Sequence, residues 1–332
     1  YQAFEISREV PQISVFDSST ITSIFPIYEE AIATGADLII GPLNKQFVNQ
    51  LAQLPVLPTT TLALNYSDSV SLDKENLFQF GLAPEDEINQ VVQLARETGY
   101  RNAALIAPRS EDYLRLQDYF VEQWTITGGA VVSEETYNDE SSYAEIIKRL
   151  IAIDSSEARA GRLLDLLPRN NMEFVPRRRN DIDFIFLIAN PRQGRQIKPT
   201  LAFYFAGDLP VYSLPSIYDG QDNQSENNDL NGIVFADAPW MLQESEELKL
   251  EMDTNLRQVQ GQLQRLRAMG VDSFRLYPRL QQFYNQGIKS MQGTTGRLSM
   301  SKEQRIQRTL DLAQFENGIA REYGKEINSG SN

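Results

Sequence analysis

The sequence predicts an α/β protein of two lobes, each with a parallel-sheet core covered by helices. Three observations carry this. Short apolar runs alternate with segments of helical period over most of the chain, the pattern that places buried parallel strands between layers of helix. The pattern comes in two successive sets, the second beginning near Phe78, which look like two copies of one architecture although no fixed-period repeat stands out. A length of 332 residues is enough for about two domains with large cores.

In the first set, residues 13–16 read as a strand and 21–34 as a helix stopped by Gly35. Residues 38–40 are a second strand, and Gly41-Pro42 breaks the chain before a helix over about 44–53. A strand at Val56-Leu57 is closed by Pro58, and 59–65 is extended chain.

The second set is well marked. Pro84 followed by Glu85, Asp86 and Glu87 opens a helix that closes at Gly99, with proline in the first turn and acids at the positive end of the helix dipole. Residues 103–107 are the next strand, 111–126 a helix ended by Gly128-Gly129, and 130–133 another strand. A helix over 142–153 leads to an irregular stretch, 154–180. A strand at 184–188, a helix after Pro191, a strand at Val211-Tyr212, an Asp/Asn-rich loop over 219–231 and a strand at 232–235 follow.

Leu256, Val259, Leu263 and Leu266 recur at spacings of three and four, which predicts an amphipathic helix ended by Gly270. Another helix covers about 272–289, and 294–299 is a turn entering a short strand.

The composition narrows the chemistry. There is no histidine and no cysteine, so a Ser-His-Asp triad, a cysteine nucleophile, a structural zinc site and a disulfide are all excluded. Catalysis would have to rest on Asp, Glu, Lys, Tyr, Ser or Thr, and no metal or cofactor is implied. A net charge of −14, from 45 acidic against 31 basic residues, argues against a nucleic-acid backbone as the main partner. No apolar run approaches the roughly 20 residues of a membrane-spanning helix. The chain starts at Tyr1 and reads as a mature fragment whose targeting signal or lipid-bearing cysteine would lie upstream.

Residues 174–188 are the most distinctive stretch: Pro176 and three arginines, Arg177, Arg178 and Arg179, run through Asp181 and Asp183 into the apolar strand. Unpaired arginines are not buried, so they belong to a solvated loop, while 184–188 reads as a strand buried on both faces.

The early run 36–43 and the late Gly293-Thr294-Thr295-Gly296-Arg297-Leu298 resemble the type I periplasmic binding protein fold. That resemblance implies two Rossmann-like lobes joined by three crossovers, with a ligand cleft between them and the first strand of lobe 1 missing here. Lobe 1 would hold residues 1–80 and 237–291, and lobe 2 residues 81–236 and 292–332. A more specific resemblance, to the C-terminal domain of the LpoA family, covers nearly the whole chain. It is carried by Pro176-Arg177-Arg178-Arg179, 181–186, 196–199, 207–212, 229–232 and Pro239-Trp240, with Pro84-Glu85-Asp86-Glu87, 267–272 and 293–318 in agreement.

The LpoA resemblance implies a non-catalytic outer-membrane lipoprotein facing the periplasm, held to the inner leaflet by a lipid anchor outside this chain. Its partner would be a class A penicillin-binding protein, which it activates by contact to regulate peptidoglycan synthesis. The alternative is a small-ligand module binding an amino acid, a peptide or a wall fragment; a hydrolase working only with carboxylates is a third, weaker reading.

For the ligand module, Gly41, Pro42 and Leu43 stand between a strand and a helix, and Thr59, Thr60 and Thr61 are placed at the equivalent edge of the next strand. The same residues suit ordinary turns. For a partner surface the candidates are Arg177, Arg178, Arg179 and Trp240, against the plainer readings of local ion pairs with Asp181 and Asp183 and of a core tryptophan. Two Ser-x-x-Lys matches, Ser71 to Lys74 and Ser299 to Lys302, lack an accompanying Lys-Thr-Gly. Glu85 to Glu87 read as helix-capping acids, and Asp219 to Asp229 lacks ordered calcium-loop spacing.

Overall fold

Two units organise the chain in the computed structural model, which describes residues 11–69, 75–138, 142–166, 174–243, 247–285 and 289–324. Unit 1 takes in Tyr1–Ala83, Ala238–Val259 and Leu263–Leu310; unit 2 takes in Pro84–Asp237, Gln260–Gln262 and Asp311–Asn332. Apart from 260–262, the chain passes between them three times, at 83/84, 237/238 and 310/311.

Unit 1 begins with α1 (Phe25–Ala33), which has proline in its first turn, and β1 (Leu38–Ile40). Asn44 caps α2 (Lys45–Gln53) by accepting from Gln46 N. Then come β2 (Thr60–Ala63) and β3 (Leu77–Phe80), parallel to β1 with Leu38 opposite Thr60 and Thr61 opposite Leu77. Successive side chains alternate between the two faces of the sheet. Ala63 and Leu77 join Tyr28, Phe47, Val48 and Leu51 on one face, and Leu62, Phe78 and Phe80 face Met269, Leu276 and Leu280 on the other. Each large apolar side chain so buried contributes about 1.5–3 kcal/mol.

Unit 2 opens with α3 (Pro84–Glu97), β4 (Asn102–Pro108), α4 (Glu111–Ile126) and β5 (Ala130–Tyr137). It continues through α5 (Tyr143–Leu150), α6 (Ile153–Leu166), β6 (Phe184–Leu187), α7 (Pro191–Phe203), β7 (Val211–Ser213), the short α8 (Gln224–Asn227) and β8 (Ile233–Asp237). These five strands run parallel in the order β5-β4-β6-β7-β8. Phe184 and Phe186 point to the α3–α4 side, where the Phe186 ring stacks on Phe120 at 4.2 Å between centroids. Every residue of β6 is buried, as its unbroken apolar run predicts.

Back in unit 1 the chain forms α9 (Pro239–Leu242), α10 (Glu247–Asn255), α11 (Gln262–Leu276), α12 (Leu280–Asn285), β9 (Met291–Gln292), β10 (Arg297–Met300) and β11 (Arg305–Thr309). Strand β11 lies parallel to β3, Arg305 opposite Gln79, and β10 and β9 extend the sheet antiparallel. Finally β12 (Asp311–Glu316) and β13 (Ile319–Glu322) return to unit 2, with Asp311 opposite Asp237 of β8.

Several expectations are corrected. Residues 13–16 form no strand, and Ile13 and Val15 are exposed. Val56-Leu57 is not a strand either, because Pro55 and Pro58 remove ladder donors on both sides; Leu57 is instead a buried plug whose carbonyl accepts from Asn76 Nδ2. The stretch 154–180 contains α6, hidden in sequence by Ser155, Ser156 and Gly161. The stripe from Leu256 to Leu266 is not one helix: α10 ends at Asn255, α11 starts at Gln262 and runs through Gly270, and its buried side carries Gln264, Arg265, Ala268, Met269, Asp272 and Ser273. A single-turn 3-10 segment, Tyr277–Arg279, separates α11 from α12. The last passage between units falls at 310/311 and not at 291/292, since β9–β11 complete the first sheet.

Candidate functional site

Gly41, Pro42 and Leu43 do sit at the carboxyl end of β1. The loop is tied to β2 by Gly41 N–H to Leu62 O at 2.8 Å and Leu64 N–H to Pro42 O at 3.0 Å, while Asn65 Nδ2 donates to Leu43 O at 3.0 Å. Pro42 is buried and Leu43 exposed.

Thr59, Thr60 and Thr61 are placed differently from the expectation. With the strand at Thr60–Ala63 they stand at its amino end, opposite the edge where α/β folds take ligands. Thr61 is fully buried, and its hydroxyl lies 2.8 Å from Tyr28 Oη and 3.0 Å from Thr59 O. It is a core polar contact.

Trp240 is also core. It is 0% exposed, and its indole N–H donates to Gln264 Oε1 at 2.9 Å, so it cannot itself touch a partner. The Pro239-Trp240 pair opens α9, and the bond to Gln264 sets the indole beside α11.

The three arginines separate by role. Arg179 grips Asp181 through Nε and Nη2, both at 2.7 Å, and Nη1 donates to Val132 O at 2.7 Å. The side-chain hydrogen bonds from Arg179 hold the Asp181 carboxyl below the usual aspartate range. Arg178 pairs with Asp208 at 2.6 Å. Asp183 pairs with no arginine of this stretch: its Oδ2 accepts the backbone N–H of Arg101 and Asn102, both at 2.8 Å, pinning the start of β4 beside β6. Arg177 is exposed and uses its backbone N–H to reach Ser156 Oγ at 3.2 Å.

The other motifs take structural roles. Glu85 in the first turn of α3 pairs with Arg115 of α4. Ser299 lies in the β10–β11 ladder opposite Gln307, with Lys302 exposed in the turn beyond, while the Ser71 to Lys74 match falls outside the described residues. Within 219–229, Asn223 caps α8 and Asp222 accepts from Tyr218 Oη and Ala320 N. Among the described residues no group of three or more acidic side chains is placed to hold a metal ion, and no helix is long and apolar enough to cross a membrane.

Sequence reading passed over the reversal of strand order in unit 2. The chain goes from β4 out to β5 and then back to the other side of β4 at β6, so a crevice position lies at the carboxyl ends of β4 and β6. Tyr137 fills it: its hydroxyl donates to Ile188 O at 2.8 Å and lies 3.1 Å from Gln193 Oε1, and Asn190 caps α7 with a full capping box. The signal was available in the strand-Asn-Pro sequence at Ala189-Asn190-Pro191.

Two α/β units joined by three passages, each with a parallel core extended by antiparallel strands, define a periplasmic-binding-protein-like fold. The chain belongs to the family described as "LppC putative lipoprotein", whose profile matches residues 3–318. It is 27% identical over 305 residues to the penicillin-binding protein activator LpoA of Photobacterium profundum, covering 92% of this chain and 49% of the relative. LpoA of Vibrio antiquarius is 26% identical over 295 residues, 87% of this chain and 48% of that one. The chain thus spans about half the length of the curated relatives it matches.

Among solved structures, the LpoA C-domain from Haemophilus influenzae, described as a regulator of PBP1A, superposes with a TM-score of 0.68 at 22% identity, covering 92% of this chain and 88% of that one. A putative branched-chain amino acid ABC transporter protein from Chromobacterium violaceum gives a TM-score of 0.66 at 22% identity, covering 94% and 91%. At these identities the likeness speaks for the fold.

Proposed function

We propose that this chain is the domain of a periplasmic lipoprotein that binds a class A penicillin-binding protein and activates it by contact, so regulating peptidoglycan synthesis. The observation that carries this is the match of 92% of the chain to a penicillin-binding protein activator, within a lipoprotein family. In this reading the protein is a regulator without catalysis of its own, in keeping with Glu85 being engaged by Arg115 and with the absence of histidine and cysteine. Activation is a shift of the synthase toward its active state by a surface that binds that state better. An anchor on a cysteine outside these 332 residues would hold the protein at the inner leaflet of the outer membrane. The test is glycan polymerisation and peptide crosslinking by the purified synthase of the same organism with and without the full-length protein. Stimulation of either supports the reading, and neither binding nor stimulation overturns it.

A second reading is favoured by the likeness to the ABC-transporter protein and by Gly41, Pro42 and Leu43 at the carboxyl end of β1. It makes the chain a solute-binding module for an amino acid, a peptide or a wall fragment, with those three residues in contact with the ligand. Thermal-shift screening against amino acids and purified muropeptides tests it: a saturable rise in unfolding temperature supports it, and none across the set removes it.

A further inference from the structure

Helix α6 and the segment 174–177 form a groove that the family reading does not explain. Ser156, Arg159, Ala160 and Leu163 recur at spacings of three and four and so share one side of α6. The hydrogen bonds from Arg177 N to Ser156 Oγ and from Arg179 N to Ile151 O, at 3.2 and 2.9 Å, hold the segment alongside that helix. Between them lies a cavity of about 440 Å³ lined by Ser156, Arg159, Phe174, Val175 and Arg177.

Its walls combine two chemistries. Phe174 and Val175 are 42% and 60% exposed, in a protein that buries most of its large apolar side chains. Among the described residues the exposed phenylalanines are Phe174, Phe203 and Phe205, and the Arg178–Asp208 ion pair joins the segment carrying the first to the loop after α7 that carries the third. Arg178 and Arg179 are neutralised by carboxylates, whereas Arg159 and Arg177 make no ion pair among the described residues. Two guanidinium groups at one cavity without an ion pair among the described residues run against a net charge of −14. Arginine and aromatic side chains around a pocket are the composition of binding hot spots, and arginine matches a carboxylate with parallel hydrogen bonds.

We propose that this groove docks an acidic peptide segment of the partner protein, with a carboxylate between Arg159 and Arg177 and an apolar side chain against Phe174 and Val175. The proposal rests on the reading that the chain acts by binding a synthase, and it names the surface that does so. An anionic glycan could supply the carboxylate but not the apolar side chain, so the peptide fits the two chemistries together.

The test measures binding of the full-length protein to the purified class A penicillin-binding protein of the same organism by surface plasmon resonance at two salt concentrations. Wild type is compared with R159E/R177E, the milder R159Q/R177Q, F174S, and R297E on unit 1 as a control. Both arginine pairs and F174S are expected to weaken binding by about tenfold or more, the charge reversal most at low salt, with R297E unchanged. If wild type binds and the groove variants bind equally well, the groove proposal is overturned and the activator reading stands. If wild type binds no synthase, the activator reading fails and the groove with it. Loss of binding to purified sacculi, with synthase binding intact, overturns the peptide in favour of a glycan. The glutamine pair covers any misfolding of the charge reversal, and equal unfolding temperatures establish that the variants are folded.

Discussion

Asp272 Oδ2 accepts two hydrogen bonds from Thr295, one from its backbone N–H at 2.7 Å and one from its hydroxyl at 2.6 Å. Oδ1 accepts the Thr294 backbone N–H at 2.7 Å and lies 2.9 Å from the Thr294 hydroxyl, which is also 2.9 Å from Ala268 O. A fully buried carboxylate on α11 therefore fixes the turn between β9 and β10, and three donors, with the Thr294 hydroxyl shared with Ala268 O, satisfy a charge that would otherwise be costly to bury. This is the physical content of the Gly293-Thr294-Thr295-Gly296 block.

Replacing Asp272 with alanine leaves the two buried backbone N–H groups and the Thr295 hydroxyl short of their acceptor, while the Thr294 hydroxyl keeps Ala268 O at 2.9 Å. We expect D272A to destabilise unit 1 by about 3 kcal/mol, since a hydrogen bond to a charged group contributes roughly 1.5–3 and orphaned donors add to the loss. The molecule has two tryptophans, Trp240 in unit 1 and Trp124 in unit 2. Urea unfolding followed by fluorescence in a W124F background reads unit 1 alone, and an unchanged midpoint would remove this account.

The two glycines of the block are required for different reasons. At Gly293 an added Cβ would lie 2.6 Å from Asp272 Oδ2, and at Gly296, with φ +137°, it would lie 2.6 Å from the backbone oxygen of Thr309. The second clash is with backbone and cannot be relieved by a rotamer. G296A is therefore expected to cost about 1–3 kcal/mol and to loosen the β10–β11 ladder, where Arg297 faces Thr309. Faster amide exchange at Thr309 and Arg297 in the variant checks it.

Legibility in sequence followed burial. The strands buried on both faces, β4 and β6, and the helices opened by Pro84 or closed by Gly128-Gly129 declare themselves by uninterrupted apolar runs and caps. The half-buried C-terminal strands do not: Arg305–Thr309 holds a single apolar residue, Ile306, and buries Arg308 as its other inward position, and its place beside β3 depends on a pairing more than 200 residues away in sequence. One missed element had a usable signal. Asn317-Gly318, with φ of 52° and 74°, is the two-residue turn that joins β12 to β13. For the candidate sites, arginine clusters could be recognised in sequence but not sorted, because it is the fold that brings Arg178 to Asp208 and Arg179 to Asp181 and Val132 O while leaving the Arg177 side chain without an ion pair among the described residues. Thr61 was misplaced with its strand, since a shift of a few residues moves a side chain from the ligand edge to the opposite end.

Trp240 tests the core reading of a residue first weighed as a partner contact. W240F keeps most of the ring volume but removes the donor to Gln264 Oε1, itself buried and also bonded through Nε2 to Asp253 at 3.1 Å. The expected cost is about 1–2 kcal/mol of unit 1 stability, with synthase binding by the folded variant unchanged. Weakened binding at full stability would return Trp240 to the interface.

The Arg179–Asp181 pair predicts a pH dependence of definite sign. Hydrogen bonds from Arg179 hold the Asp181 carboxyl below its ordinary value of about 3.9. A group depressed in the folded state contributes stability that is fully present above the unfolded value and is lost as pH falls through the folded one. Wild type should therefore exceed R179Q in stability by a constant amount above about pH 5, and the gap should close as the pH is lowered through the acid range. The pair is partly exposed, so salt should narrow the gap as well. Carbon-detected NMR titration of the Asp181 carboxyl gives the direct reading: its midpoint should rise toward about 3.9 in R179Q. A midpoint that does not move would mean that Val132 O, and not Asp181, is the partner that holds the Arg179 side chain in place.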